Sequence, residues 1–109
     1  MFKTKDFINF EKMKLFSEAQ APMAILNKEN ILFSYRYLPF EDMYFLALSN
    51  LKNYDKKRFL VDIYFKNSYG NFFDGAYSDL KVFNDKLLII YYLSDKQGNT
   101  FLKGSTLKL

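Results

Sequence analysis

The amino-acid sequence predicts an α+β domain: an antiparallel sheet of about five strands with two helices, in the order α-β-β-α-β-β-β-β. Three observations predict it. Apolar residues recur at helical spacing in two segments, Asn9 to Ala19 and residues 39–53. They alternate with polar residues in most of the rest. Clusters of Asn, Asp, Gly and Ser separate the alternating runs, as turns between neighbouring antiparallel strands require.

The first helix places Phe10, Met13 and Phe16 three apart with Glu11, Lys12 and Lys14 between them, capped by Asn9 or starting earlier at Thr4. Ala21-Pro22 is expected to end it. Met23 to Leu26, the polar run Asn27-Lys28-Glu29-Asn30, and the alternating Ile31 to Tyr37 read as a β-hairpin. Pro39 then suits the first position of a second helix, with Glu41 and Asp42 at the positive end of its dipole. Phe40, Tyr44, Ala47, Leu51 and Tyr54 fall on one stripe of that helix. The stripe is expected to pack on a sheet face formed partly by Phe59, Val61 and Ile63.

From Phe59 onward the pattern is that of strands. Phe59, Val61, Ile63 and Phe65 alternate with Leu60, Asp62, Tyr64 and Lys66, and residues 67–71 form a turn. Phe72 to Phe83 is a strand interrupted at Asp74-Gly75. Asn84-Asp85-Lys86 turns into Leu87–Leu93, apolar enough for a central strand buried on both faces. A turn at residues 95–99 leads to a last strand from Thr100 to about Leu107.

At 109 residues the chain has the size of one domain, spanning 1–109, with an ordinary hydrophobic core and no need of staples. It contains no cysteine and no histidine, which excludes disulfides, thiolate sites and imidazole metal sites, and fits a reducing compartment. No apolar run approaches ~18 residues, and none follows the first lysines. Neither a signal peptide nor a membrane span is expected, and the expected location is the cytoplasm.

The usual catalytic apparatus is missing. Without His or Cys the common nucleophile and base pairs cannot be built. Glu41 and Asp42 with Asp74 or Asp79 could meet as paired carboxylates, but helix-start and turn roles account for them. The glycines, at 70, 75, 98 and 104, form no phosphate loop. The expectation is a non-enzyme with no cofactor and no metal.

Binding is the remaining class. Sixteen Lys and Arg oppose twelve Asp and Glu, net +4, with Arg36 and Arg58 the only arginines. Lysine favours solubility over phosphate recognition. Lys52, Lys56, Lys57 and Arg58, beside Tyr54, form the densest basic patch and the candidate phosphate contact. They also suit a solvated connection at a helix C-terminus. With thirteen Phe and nine Tyr the chain is rich in aromatics, and Tyr35, Tyr37, Tyr54 and Tyr64 are candidate partner contacts. A core role for the same rings is the plainer account.

The run Leu15-Phe16-Ser17-Glu18-Ala19-Gln20-Ala21-Pro22-Met23 through Phe33, followed by Phe40-Glu41, resembles the opening of a PAS domain, and Lys86 to Asp95 is similar to its last strand. The resemblance implies a short helix leading through an Ala-Pro step into a hairpin, then another helix. It departs from the family at Ser34-Tyr35-Arg36, where the family carries an Asn, and in lacking a Gly after the following helix. Residues 53–58 leave no room for the family's further helices. Haem-binding and photoactive members are excluded because the axial His and reactive Cys are absent.

The leading functional expectation is a non-catalytic, PAS-like protein-binding module, able to homodimerise through its sheet or N-terminal helix. The alternative is a small inhibitor encoded by a phage or other mobile element, of the anti-CRISPR or anti-restriction type, that blocks a host nucleoprotein. That alternative gains if no output domain accompanies the chain. A nucleic-acid binder using lysines and tyrosines is third.

Overall fold

A computed structural model describes residues 2–3, 11–12, 19–41, 43–50, 58–65, 75–94 and 99–109. None of these is helical, and the architecture is all-β. A two-residue pairing joins β1 (Phe2–Lys3) to β2 (Glu11–Lys12). The body consists of two antiparallel meanders. The first is β3 (Ala19–Asn27), β4 (Asn30–Tyr37), β5 (Met43–Asn50) and β6 (Phe59–Phe65); the second is β7 (Ser78–Phe83), β8 (Lys86–Ser94) and β9 (Thr100–Lys108).

The expected second helix is the main correction. Its stripe residues Tyr44 and Ala47 lie on β5, a central strand between β4 and β6. Pro39, Phe40 and Glu41 belong to the connection before it, and Phe40 is 58% exposed. The reason is burial on both faces. Tyr44, Leu46 and Leu48 face one cluster while Ala47 faces another, so the segment is apolar throughout and satisfies a helical stripe and a strand equally.

At the first expected helix, Glu11–Lys12 is strand and β3 begins at Ala19, while residues 4–10 and 13–18, with Phe10, Met13 and Phe16, lie outside the described residues. Ala21-Pro22 does not end a helix. It forms a bulge in β3, where the pairing shifts between Gln20 and Met23 and Ala21 takes φ 50°. Pro is tolerated there because β3 is an edge strand and a bulge needs no donor. Leu51 and Tyr54 lie outside the described residues, as does the turn at 67–71. The Ala-Pro step and Phe40-Glu41, which carried the PAS resemblance, thus sit in a bulged strand and a bend.

The two hairpin turns follow local chemistry. Asn84 and Asp85 both have positive φ, at 46° and 57°, the arrangement of a two-residue turn whose twist matches its strands. The Lys28-Glu29 turn closes the other hairpin, with Lys28 at φ 55°.

The sheets pack face to face. Leu32, Tyr44, Leu46, Leu48 and Tyr64 of the first meet Leu80, Leu87, Ile89 and Tyr91 of the second, with Ala76 between. Phe33, Tyr35 and Ala47 form a separate buried cluster on the opposite face of the first sheet.

Candidate interaction surface

Asp62 collects three donors between the sheets. Asp62 Oδ2 accepts from Tyr91 Oη at 2.7 Å and from Lys103 Nζ at 2.8 Å, and the Ile63 N–H donates to Oδ1 at 2.9 Å. Burial pushes the Asp62 carboxyl up, but these hydrogen bonds outweigh it and hold the group below its ordinary value. Burial likewise raises the Tyr91 phenol, and the hydrogen bond to Asp62 raises Lys103. All three shifts keep the ion pair and the neutral phenol in place.

A second seam is built on Arg36. Its Nη2 donates to the Gly75 carbonyl at 2.5 Å, while the guanidinium lies 5.0 Å from the Tyr44 ring and 4.9 Å from the Tyr77 ring. Tyr64 stacks on Tyr44 at 4.7 Å and donates to the Tyr92 carbonyl at 3.1 Å, which also accepts from the Ala76 N–H. Burial raises the Tyr64 phenol far above its ordinary value. Gly75 is required by close approach, since a Cβ there would lie 2.4 Å from the Tyr64 ring. Tyr64, a candidate contact, is therefore a core residue.

Arg58 is the one member of the expected basic patch among the described residues. It is exposed, but its guanidinium lies 3.5 Å from the centre of the Tyr37 ring and its Nε donates to Tyr35 Oη at 2.7 Å. Tyr35 is fully buried and hydrogen-bonded to Ser49, so it offers no outward contact either. Tyr37 is half-buried beneath Arg58. Lys52, Tyr54, Lys56 and Lys57 lie outside the described residues. So do Asp42 and Asp74; Glu41 lies in the bend before β5 and Asp79 on the outer side of β7. No group of three acidic, His or Cys side chains suited to a metal occurs among the described residues.

An exposed apolar stripe lies elsewhere, on the outer face of the second sheet. Strand alternation and register put Tyr77, Tyr92 and Leu102 in one row, Asp79, Ile90 and Gly104 in the next, and Lys81, Leu88 and Thr106 in a third. Leu102 is 76% exposed and Ile90 44%. Tyr77 and Phe83 are also exposed, and Tyr77 stacks on Tyr92 at 5.9 Å. Gly104 carries no side chain to cover Ile90. Lys81, Lys86 and Lys108 are exposed around this stripe.

With that geometry in hand, comparison with known proteins adds no guide: no family model, curated protein or solved structure matches the chain. The surface must be read from its own chemistry.

The expectation of a β8 buried on both faces missed this surface. Leu87, Ile89 and Tyr91 are buried in the core, whereas Ile90 points out. The only signal in the sequence was Gly104 at the position that pairs with Ile90, and that pairing becomes visible only with the register. Among the described residues no helix is long and apolar enough to cross a membrane.

Proposed function

We propose that this chain is a non-catalytic protein-binding module whose contact surface is the outer face of β7, β8 and β9. The carrying observation is the exposed apolar stripe Tyr77, Ile90 and Leu102 with lysines around it. Large apolar side chains exposed contiguously on one sheet face mark an interaction site. Aromatic and aliphatic anchors at the centre with charges at the rim match the anatomy of protein interfaces. The partner this face fits has an apolar centre and carboxylates at its edge, opposite Lys81, Lys86 and Lys108.

Two observations favour protein over nucleic acid. Both arginines are engaged with the chain's own aromatic rings, Arg36 between Tyr44 and Tyr77 and Arg58 over Tyr37. Tyr77 and Tyr92 stack on one another, which leaves fewer ring faces for bases. The discriminating experiment measures binding to mixed-sequence single- and double-stranded DNA and RNA at ~50 and ~200 mM salt. Phosphate tracking through six or more contacts loses about three orders of magnitude over that range. The expected result is no sub-micromolar binding at either salt. Sub-micromolar, steeply salt-dependent affinity that disappears on Lys56→Gln with Lys57→Gln contradicts the proposal. Arg58 is kept in that variant because it packs on Tyr35 and Tyr37.

A further inference from the structure

The two sheets have four edge strands, and three of them are blunted. β3 carries Pro22 and a bulge. β6 carries an extra residue, Val61, where its pairing with β5 shifts between Leu46 and Ala47. β7 is short, six residues, and lies against β3. Bulges, prolines, short length, coverage and charged side chains keep sheet edges from pairing. β9 has only the last of these, and its charges are confined to Lys103, engaged by Asp62, and Lys108 at its end. It is nine residues long, pairs one to one with β8 from Thr100 to Lys108 without a shift, contains no proline, and is exposed over most of its length. Among the described residues no strand pairs with its other side.

The sequence of β9 is also complementary to itself. In an antiparallel pair centred on Gly104, Lys103 faces Ser105 of the second copy, Leu102 faces Thr106, Phe101 faces Leu107 and Thr100 faces Lys108. No like charges oppose each other, and Phe101, 44% exposed, gains an apolar neighbour. Centring on Lys103 instead sets lysine against lysine. Centring on Ser105 sets Lys103 against Leu107 and Leu102 against Lys108. We propose that two copies of this chain join antiparallel through β9 about a two-fold axis at Gly104, making one continuous six-stranded sheet. This pairing is independent of the protein-binding reading and leaves the outer face open, extended across both copies.

A single pair of edges buries less than the ~1,200 Å² of a stable interface, so the association depends on concentration. Sedimentation equilibrium of the full chain from ~10 μM to ~1 mM is expected to show the mass rising from 13.0 kDa toward twice that value. The chain has no native cysteine, so single cysteines report the register. Gly104→Cys is accommodated, since the nearest atoms to an added Cβ are 3.9 and 4.0 Å away. Residues directly opposed have Cα atoms ~4.5–5.5 Å apart, within disulfide range. Gly104→Cys is expected to oxidise to a covalent dimer. Thr106→Cys is expected to remain monomeric, because its counterpart lies four residues along the strand, ~13 Å away. Leu102→Lys with Thr106→Lys should abolish the dimer, and Leu102→Lys with Thr106→Glu should restore it. A mass of 13.0 kDa at every concentration, equal disulfide yield at 104 and 106, or no difference between the two double variants overturns the proposal.

Discussion

Tyr91 Oη on β8 donates to Asp62 Oδ2 on β6 at 2.7 Å, and Lys103 on β9 donates to the same oxygen, so one carboxylate of the first sheet holds two strands of the second. The two donors are not equivalent. Tyr91 is buried, whereas the Lys103 side chain is about half exposed. Hydrogen bonds to a charged group contribute ~1.5–3 kcal/mol, and exposed ion pairs ~0–1 kcal/mol. Tyr91→Phe is therefore expected to lower unfolding free energy by about 1–3 kcal/mol in urea, and Lys103→Met by under ~1 kcal/mol. Equal losses would mean that the lysine ties the sheets as strongly as the phenol.

The same groups set the pH range of stability. Asp62 is held below the ordinary carboxylate value, so its contribution is present above about pH 4 and is lost as pH falls through its lower folded value. Tyr64 and Tyr91 are raised by burial and Lys103 by its bond to Asp62. Their contributions are full below about pH 10 and decline as pH rises toward the folded values. The thermal midpoint measured against pH should fall at both ends, and Asp62→Asn should flatten the acid limb. An acid limb unchanged in that variant would remove Asp62 from the account.

The Arg36 and Gly75 seam tolerates little change. Tyr64 is held between the Tyr44 ring and the Tyr92 carbonyl, so a methyl group at Gly75 cannot push it aside. Gly75→Ala is expected to cost ~1–3 kcal/mol, as overpacking does. Arg36→Lys loses the planar group between two rings and should cost ~1–2 kcal/mol. Chemical denaturation measures both, and a change under ~0.5 kcal/mol at Gly75 would show that the seam relaxes.

Core position and surface position separate on the first sheet. Leu46, fully buried, should cost ~2–5 kcal/mol when truncated to Ala. Ile63, 38% exposed and on the other face of β6 from Tyr64, should cost under ~1.5 kcal/mol. A larger loss at Ile63 than at Leu46 would reverse the face assignment of β6.

That assignment also shows what the sequence could and could not reveal. Asn84-Asp85 and Asn27–Asn30 were legible as turns because turn chemistry is local, and β8 and β9 lie where the turns placed before them put them. β5 was not legible, because a strand buried on both faces leaves no polar side to set its period. β6 was recognised as a strand but turned the wrong way, with Phe59 and Ile63 expected on the packed face. The bulge at Val61 changes its parity, so that Asp62 and Tyr64 turn inward while Phe59, Leu60 and Ile63 are exposed. Beyond the local Ile63 N–H, Asp62 is satisfied there by Tyr91 and Lys103, 29 and 41 residues away, and no local pattern announces partners at that distance. The exposed stripe was hidden for a related reason: Leu88 and Ile90 read as core until the register sets Gly104 beside Ile90.

The most direct test of the outer face as a protein-binding surface is the affinity of a photo-crosslinked partner. A photoreactive residue at Leu102 identifies the partner, and calorimetry then compares the unaltered chain with Ile90→Asp plus Leu102→Asp. Both positions are exposed, so the double variant should keep its thermal midpoint within a few degrees. Truncating or charging a central anchor costs ≥ ~2 kcal/mol, which is roughly 30-fold in affinity. A loss of that size at an unchanged midpoint is the predicted result, and an unchanged affinity would contradict the account.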